Sequence, residues 1–346
     1  MNSPVPEPDG APVSPAAAAT RHAESPTPEL VERAVAGLGD ASVTVAVCTF
    51  RRPQELQQTL QGLWAQRGLT GIAVTVVVVD NDSQASARAV VESALPPSPW
   101  ALRYVVEPRP GVASARNRSL REAQTELIAF IDDDEVPEPT WLAALLHSHS
   151  STAADAVFGS VVPRFDRPPP VWSMNGAFFT KPRYRTGSVV GWEATYTANV
   201  LLTRHLLEMA GGAFDERFAA SGGEDTLLFL RAERAGAMLV WCDEAVVHEH
   251  MPAARLRLAW LLRRAYKGGQ NWVRIRADAS PHVWLPMALR GAASALLSAV
   301  LLLPALVASR GTAVRHAVRV AGGLGKMSAW WADRAAAGAA VRHYAG

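Results

Sequence analysis

Residues 72–83, with the sequence IAVTVVVVDNDS, decide the fold of this chain. An unbroken run of apolar and β-branched residues predicts a strand buried on both faces, and here the run ends in a polar cluster. Two further runs have the same form: 43–50 (VTVAVCTF) ends within the cluster 49–52 (TFRR), and 127–131 (LIAFI) leads into 132–135 (DDDE). Because the carboxyl ends of parallel strands share one edge of a sheet, the three clusters predict a single binding site there.

Helical segments separate these strands. Apolar residues recur at helical spacing in four segments, at 53–66, 86–94, 112–124 and 140–149. Further β-like runs occur at 102–106, 156–162, 238–241 and 245–247, and further helical patterns at 224–235 and 255–276. This alternation predicts an α/β fold with a mostly parallel, Rossmann-like sheet covered by helices on both faces.

The composition is that of a globular protein with an added apolar segment. Apolar residues make up 49% of the 346 residues and charged residues 19%, and the net charge of +2 gives no reason to expect a nucleic-acid partner. Cys48 and Cys242 each lie in an apolar run without metal-type spacing, which favours core thiols. Residues 1–42 are rich in Pro, Ala, Ser and Glu, lack a secretory signal pattern, and predict a disordered leader.

The acidic cluster at residues 132–135 indicates a bound cation. Adjacent carboxylates repel one another unless a positive group lies among them, and Mg²⁺ binds through one or two carboxylates together with substrate phosphates. A solvated turn that starts the next helix, helped by Pro137 and Pro139, is the alternative. The convergence of three polar clusters favours the cation.

Five motifs carry a resemblance to a known family. They are VAVCTFRRP (45–53), VVVVDNDS (76–83), RPGVASARN (109–117), FIDDDE (130–135) and FDERFAASGGEDTLLFLR (214–231). Together they resemble the family 2 glycosyltransferases, the inverting group with the GT-A fold. The resemblance covers about residues 43–250, and implies a GT-A domain at 43–252 that transfers a sugar from a nucleotide-sugar donor, most commonly a UDP-sugar.

The resemblance also implies which residues bind the donor nucleotide. The loop after the first strand would surround the base, the end of the second strand would bind it, and the third cluster would orient the site. The nucleotide-binding residues implied in this way are Thr49, Phe50, Arg51, Asp80, Asp82, Arg116, Asn117, Asp132 and Asp133. A helix-surface charge is the alternative for Arg116. For Asp133 two placements stay open, because it can point away from the site or support the loop.

A divalent metal, Mn²⁺ or Mg²⁺, is implied at the acidic cluster. The resemblance implies Asp134 as the metal ligand, and it implies that Asp132 would contact the ribose and could share the metal. Some GT-A enzymes supply a histidine from the region that corresponds to residues 248–250 (HEH), so His248 is a further candidate ligand. Alternation in a strand places His248 and His250 on the same face, so the sequence leaves the choice between them open.

A general base is expected at the start of the helix at 224–235. Inverting transfer is a single displacement, so the acceptor hydroxyl must lose its proton as it attacks the anomeric carbon. Gly222 and Gly223 allow the backbone to approach a substrate, and the resemblance implies Asp225 as the base with Glu224 as second candidate. A charge that favours the helix N-terminus is the alternative.

Residues 253–346 form a basic and apolar C-terminal region. The uncharged run at 291–309 reaches the length of a bilayer span, and three interpretations stay open: a spanning helix, a helix in the membrane interface, or a buried soluble helix. The basic residues at 255–267 lack the Gln-x-x-Arg-Trp signature of processive relatives, so a non-processive enzyme is expected. We expect it at the cytoplasmic face of the membrane, peripheral or single-pass.

Two other functions compete with this prediction. A sugar-1-phosphate nucleotidyltransferase would carry a glycine-rich loop after the first strand, where this chain has CTFRRP. A non-catalytic, membrane-associated nucleotide-sugar-binding protein would need neither the acidic cluster at 132–135 (DDDE) nor the motif at 222–225 (GGED). The acceptor is expected to be a glycan, a lipid-linked sugar or a small molecule, and the aromatic stretch 172–192 with Asn199 is a hypothesis for its binding site.

Overall fold

The structure, a computed structural model, describes residues 41–94, 98–174, 178–218 and 222–344. Nearly all of the predicted leader, 1–42, lies outside the described residues. Two compact units are present: the first ends at Arg164 and resumes over Lys181–His250, and the second combines Phe165–Thr180 with the chain from Met251 onward. The predicted domains at 43–252 and 253–346 stay predictions.

Eight strands form one sheet. They are β1 (Ser42–Thr49), β2 (Ala73–Asp80), β3 (Ala101–Val106), β4 (Leu127–Asp132), β5 (Glu135–Pro137), β6 (Ala156–Phe165), β7 (Asn199–Thr203) and β8 (Leu239–Met251). Their order across the sheet is β3-β2-β1-β4-β7-β6-β8-β5. The first four strands run parallel, as predicted. The pairs β4–β7, β6–β7 and β5–β8 are antiparallel, so the sheet as a whole is mixed rather than mostly parallel.

Helices cover the sheet and build the second unit. The described helices are α1 (Pro53–Trp64), α2 (Arg88–Ala94), α3 (Val112–Glu122), α4 (Trp141–Thr152), α5 (Val171–Met174), α6 (Arg204–Met209), α7 (Glu224–Arg234), α8 (Leu258–Ala279), α9 (Trp284–Ala308) and α10 (Arg310–Tyr344). Short 3₁₀ turns lie at Trp192–Ala194, Glu216–Phe218 and Pro281–Val283. The helices predicted from apolar spacing are all present, with ends shifted by a few residues.

The core forms on both faces of the parallel strands. Leu56 and Leu60 of α1 lie one helical turn apart and are buried in the same cluster as Val45 of β1. On the opposite face, Val77 and Val79 of β2 pack with Ala115 of α3. Two-sided burial explains why β1 and β2 are continuously apolar rather than alternating, and it fixes the register that positions the strand ends.

Candidate active site

The carboxyl ends of β1, β2 and β4 bring the three polar clusters together. In the parallel register, Thr49 of β1 lies opposite Asp80 of β2, and Cys48 lies opposite Asp132 of β4. The polar residues that follow each strand therefore meet at one edge of the sheet, as the sequence predicts. This edge is the candidate active site.

The loop after β1 presents an aromatic ring and a cation. Half of Phe50 is exposed (51%), and the guanidinium of Arg51 lies 4.9 Å from the centre of its ring. Arg51 adopts a left-handed conformation (φ 56°), which is uncommon for a residue with a side chain and is often found at functional sites. Its Nε donates to Asp82 Oδ2 at 3.1 Å, so the first two loops are joined. That hydrogen bond holds the pKa of Asp82 below its ordinary value.

Asp80 anchors the loop after β2. Its side chain is fully buried, and it accepts hydrogen bonds from the backbone N–H groups of Asp82 (3.0 Å) and Ala87 (2.8 Å) and from the hydroxyl of Tyr104 (2.8 Å). Desolvation and the contact with Asp80 raise the pKa of Tyr104. Of the two aspartates predicted to bind the base, Asp80 therefore holds the loop, and Asp82 lies nearer the exposed Arg51.

The three aspartates after β4 have different surroundings. Asp133 is buried, accepts a hydrogen bond from Thr49 Oγ1 (2.8 Å) and one from Arg52 (3.1 Å), and so supports the loop, which is one of the two placements left open by the sequence. Burial raises the pKa of Asp133 to about 7, although Arg52 and Thr49 oppose the shift. Asp134 also accepts from Arg52, at 2.9 Å. Asp132 has the most exposed side chain of the three, at 43%.

Arg116 connects the acidic cluster to the start of α7. Its guanidinium is buried, donates a short hydrogen bond to Glu224 Oε1, and lies 3.6 Å from Asp132 Oδ1. Burial alone would lower the pKa of Arg116, but the carboxylates of Glu224 and Asp132 outweigh it and raise the pKa. Arg116 is therefore not a surface charge, which rules out that alternative.

Asn117, the neighbour of Arg116, fastens a backbone segment. Its side-chain amide donates to the carbonyl oxygen of Phe214 and accepts from the backbone N–H of the same residue, both at 2.9 Å. This reciprocal pair ties α3 to the segment that leads to α7. Phe214 in turn packs edge-on against Phe130 of β4, with ring centres 5.8 Å apart. Asn117 therefore positions the backbone at Phe214, and through it the segment that leads to α7.

The two candidate bases at the start of α7 differ in exposure. Gly222 and Gly223 both have positive φ (76° and 101°), a conformation that favours glycine, and they turn the chain into the helix. Glu224 is only 2% exposed, and burial raises its pKa to about 7 although Arg116 opposes the shift. Asp225 is partly exposed, and its Oδ1 accepts from the backbone N–H of Thr226 at 2.7 Å. Asp225 is therefore the carboxylate that a substrate can reach.

The pairing of β5 with β8 brings together acidic residues to which the sequence analysis gave no individual role. Glu135 lies opposite Glu249, and burial followed by the charge of Asp132 raises the pKa of Glu135 well above its ordinary value. Lys181 opposes that shift and lies with its Nζ 4.0 Å from the ring centre of Tyr196. Alternation along a strand places Glu249 on the face opposite His248 and His250. That pattern is the signal from which a role for Glu249 could have been predicted. No motif marks Lys181.

The predicted histidine ligand has another partner. His248 Nε2 lies 3.0 Å from Glu138 Oε1, and His248 is paired with Val136 in the register of β5 and β8. The backbone N–H of His250 donates to the carbonyl oxygen of Asp134 at 2.9 Å. Among the described residues, no group of three or more His, Cys, Asp or Glu side chains is arranged to hold a metal ion. A protein that supplies only one or two carboxylates still suits a cation whose remaining ligands are phosphates and water.

Asn199, a hypothesis for the acceptor site, is a core residue. It is fully buried, accepts from Trp141 Nε1 at 2.8 Å, and donates to the carbonyl oxygens of Ser160 (3.0 Å) and Ala245 (2.7 Å). Its amide therefore joins α4, β6 and β8. The hypothesis was wrong for this residue, because the sequence does not show that β7 lies in the middle of the sheet.

Comparison with known proteins agrees with this geometry. Residues 44–200 match the model of the family described as glycosyl transferase family 2. The succinoglycan biosynthesis protein ExoM of Rhizobium meliloti is 36% identical over an alignment of 292 residues, and the alignment covers 82% of this chain and 93% of that protein. Validoxylamine A glucosyltransferase of Streptomyces hygroscopicus is 29% identical over 56% of this chain and 48% of its own length.

Solved structures show the same fold. The mannosyltransferase PcManGT of Pyrobaculum calidifontis, solved with GDP-Man and Mn²⁺, superimposes with a TM-score of 0.58 at 22% identity, covering 88% of this chain and 94% of that one. The predicted GT-A fold is thereby confirmed. With the match to the family model and the similarity to ExoM, it follows that this chain is an enzyme of the family 2 glycosyltransferases.

Proposed function

We propose that the chain transfers a sugar from a nucleotide-sugar donor to an acceptor hydroxyl in one displacement that inverts the anomeric carbon. The observation that carries this proposal is the buried Arg116. It contacts both Asp132, at the expected donor site, and Glu224, the neighbour of the expected base. One side chain therefore contacts both the acidic cluster expected to bind the donor and the helix start expected to supply the base, and a displacement requires both.

The donor nucleotide occupies the edge formed by the loops after β1 and β2. The exposed ring of Phe50 offers a face on which a base can stack, and such stacking is worth about 1–3 kcal/mol per base in nucleic-acid complexes. Arg51 and Asp82 add a charged pair next to that ring. The buried hydrogen bond between Thr49 and Asp133 joins the end of β1 to the loop after β4, so it stabilises the edge on which the nucleotide would bind. UDP is the first candidate nucleotide and GDP the second.

A divalent cation, Mn²⁺ or Mg²⁺, would be held by Asp132 and Asp134. The two side chains suit such an ion, because carboxylates are hard oxygen ligands and the diphosphate of the nucleotide sugar would supply further oxygens. Such an ion, when bound, would supply positive charge that favours departure of the diphosphate. Arg52 places a positive charge beside both Asp133 and Asp134, so it limits the repulsion between the carboxylates of these two residues.

Asp225 takes the proton of the acceptor hydroxyl. As the hydroxyl oxygen attacks the anomeric carbon, the bond from that carbon to the diphosphate oxygen breaks, and the hydroxyl proton passes to the Asp225 carboxylate. Glu224 is unsuited to this role because it is buried and bonded to Arg116. Its role is to position Arg116, and with it the start of α7.

The acceptor is a glycan or a lipid-linked sugar at the cytoplasmic face of a membrane. The similarity to ExoM supports this assignment, because it extends over 82% of the chain and that protein is named for succinoglycan biosynthesis. The long apolar helix α9 also supports it. A small-molecule acceptor is the second candidate, favoured by the shorter match to a validoxylamine A glucosyltransferase.

Asp225→Asn tests the assignment of the base. Release of nucleoside diphosphate from a panel of UDP- and GDP-sugars, with Mn²⁺ or Mg²⁺, gives a readout that needs no identified acceptor. We expect the variant to lose roughly 10²–10⁴-fold in rate while it binds donor normally. Glu208→Gln, which changes an exposed carboxylate of α6, is the matched control. Full activity in Asp225→Asn would refute the assignment.

A further inference from the structure

The helix α9 has its large apolar residues outside and its small residues inside. The buried positions are Met287, Gly291, Ala295, Ser298 and Ala305. The exposed positions carry the large side chains, Leu285, Leu289, Leu296, Leu297, Val300, Leu301, Leu303, Leu306 and Val307, which are between 40% and 91% exposed. This arrangement is the reverse of a helix in water, and is typical of helices whose surroundings are lipid.

Close backbone contacts fix the register between α9 and α10. A methyl group added at Gly291 would collide with the backbone of Gly323, and one added at Gly323 would collide with Gly291 and with Ala295. Only Ser309 separates the two helices, so they form an antiparallel hairpin. On the other side of α10, Gly325 approaches the backbone of Tyr266 in α8 just as closely.

This register places two arginines beside the middle of the apolar run. Arg319 and Arg315 are exposed, and they lie about 6 Å and 12 Å along α10 from Gly323 toward the hairpin tip. If α9 crossed a bilayer, both side chains would stand at its hydrocarbon core or near it, where a charged group is costly. A spanning hairpin is therefore disfavoured.

We propose that the α9–α10 hairpin lies in the plane of one anionic lipid surface and does not cross the membrane. The leucines of α9 enter the acyl region, and the arginines of α10 reach the lipid phosphates. The segment 284–332 contains five cations and no Asp or Glu, so its charge complements an anionic surface. Trp330 and Trp331, 38% and 65% exposed, lie near the open end of the hairpin and suit the membrane–water interface.

This inference rests on the membrane location in the proposed function and narrows it to one lipid surface. A first experiment measures sedimentation of the purified full-length protein with vesicles of phosphatidylcholine, with and without phosphatidylglycerol. Arg315→Gln/Arg319→Gln should weaken binding to the anionic vesicles about tenfold or more, and should leave binding to neutral vesicles unchanged. Arg185→Gln/Arg234→Gln, two exposed arginines of the first unit, is the control and should have no effect.

A second experiment determines the side on which the hairpin tip lies. Ser309→Cys is expressed in bacterial cells, and right-side-out membrane vesicles are treated with a membrane-impermeant maleimide; the chain without this cysteine gives the background. We expect labelling at position 309 only after the vesicles are opened. Labelling of intact vesicles would show that the hairpin spans and would overturn the proposal.

Absence of binding to any vesicle would also overturn the proposal. Turnover of nucleotide sugars is measured on the same preparations. Normal turnover without lipid binding would refute the lipid surface and leave the transferase activity intact. Absence of turnover in a wild-type protein that binds anionic vesicles normally would refute the transferase proposal and leave the proposed lipid-binding surface intact.

Discussion

Arg116 is the residue on which both acidic motifs depend. It is buried between Glu224 and Asp132, and Glu224 Oε2 has no hydrogen-bond partner among the described residues, so removal of the arginine would leave a buried carboxylate without its cation. We expect Arg116→Met to lower the free energy of unfolding by roughly 3–5 kcal/mol, the usual effect of breaking one side of a buried ion pair. Urea denaturation followed by circular dichroism measures the loss.

The double variant Arg116→Met/Glu224→Leu is the control for that prediction. Because it removes both charges and keeps apolar volume, it should recover most of the stability lost in the single variant. A single variant that is no less stable than the double variant would show that the ion pair does not matter for folding. It would also weaken the argument that Arg116 positions α7.

The buried Asp133 predicts a dependence of stability on pH. Its pKa is about 7 in the folded chain, against about 3.9 in an unfolded chain, so the folded state keeps a proton that the unfolded state releases. The stabilisation is fully present below about pH 4 and is lost as the pH rises through 7. Between pH 5 and 8 the wild type should therefore lose stability relative to Asp133→Asn. A constant difference between the two proteins across this range would contradict the prediction.

The roles of individual residues were harder to predict than the position of the site. The sequence left open whether Asp133 points away from the site or supports its loop, because the burial of its side chain against Thr49 is set only by the fold. It gave no sign that Asp80 is fully buried, because that follows from Tyr104 on the neighbouring strand. Lys181 escaped notice for the same reason: its neighbours at the site come from distant parts of the chain.

At the scale of elements, the antiparallel half of the sheet depends on a close approach at Gly159. A methyl group at this position of β6 would collide with the carbonyl oxygen of Ala245 in β8 and with the amide of Asn199 in β7. Both neighbours are held by hydrogen bonds to each other and cannot move aside easily. We expect Gly159→Ala to cost about 1–3 kcal/mol in unfolding free energy or more, as overpacking usually does.

Gly268→Ala provides the comparison for Gly159. It lies in helix α8 with no atom within 4 Å of an added methyl group, so the change should stabilise the helix by up to about 1 kcal/mol. Thermal melts of both variants beside the wild type measure the two effects. Equal effects of the two substitutions would show that the predicted collision at Gly159 does not occur.

Strands β1, β2 and β4 were predictable because each is a mostly apolar, β-branched run next to a helical pattern, and the shorter β3 was recognised between two such helical patterns. Strand β7 was not, because its five residues follow a long irregular stretch and pair with β4 and β6, which are distant in sequence. Strand β8 was predicted as two pieces, because the polar Asp243 and Glu244 interrupt its apolar residues. Asp243 accepts hydrogen bonds from Arg183 and Ser160, and these partners explain why it is tolerated there.

At the scale of the whole molecule, the fold class followed from the sequence, and the division of the chain into domains stays a prediction. The motifs that carry the family resemblance all lie in the first unit, where the parallel strands set their positions. Residues 165–180 belong instead to the second unit, around Phe179, Met251 and Leu256. Such a return of the chain depends on tertiary contacts, which no local pattern in the sequence reports.

Binding of UDP and GDP, measured by calorimetry with and without Mn²⁺, tests the central claim most directly. The claim is that the edge formed by β1, β2 and β4 binds a nucleotide sugar through Asp132 and Asp134. The account predicts that one of the two nucleotides binds only with the metal, and that Asp134→Asn abolishes the metal dependence. Metal-independent binding that is unchanged in Asp134→Asn, or no binding of either nucleotide, would contradict it.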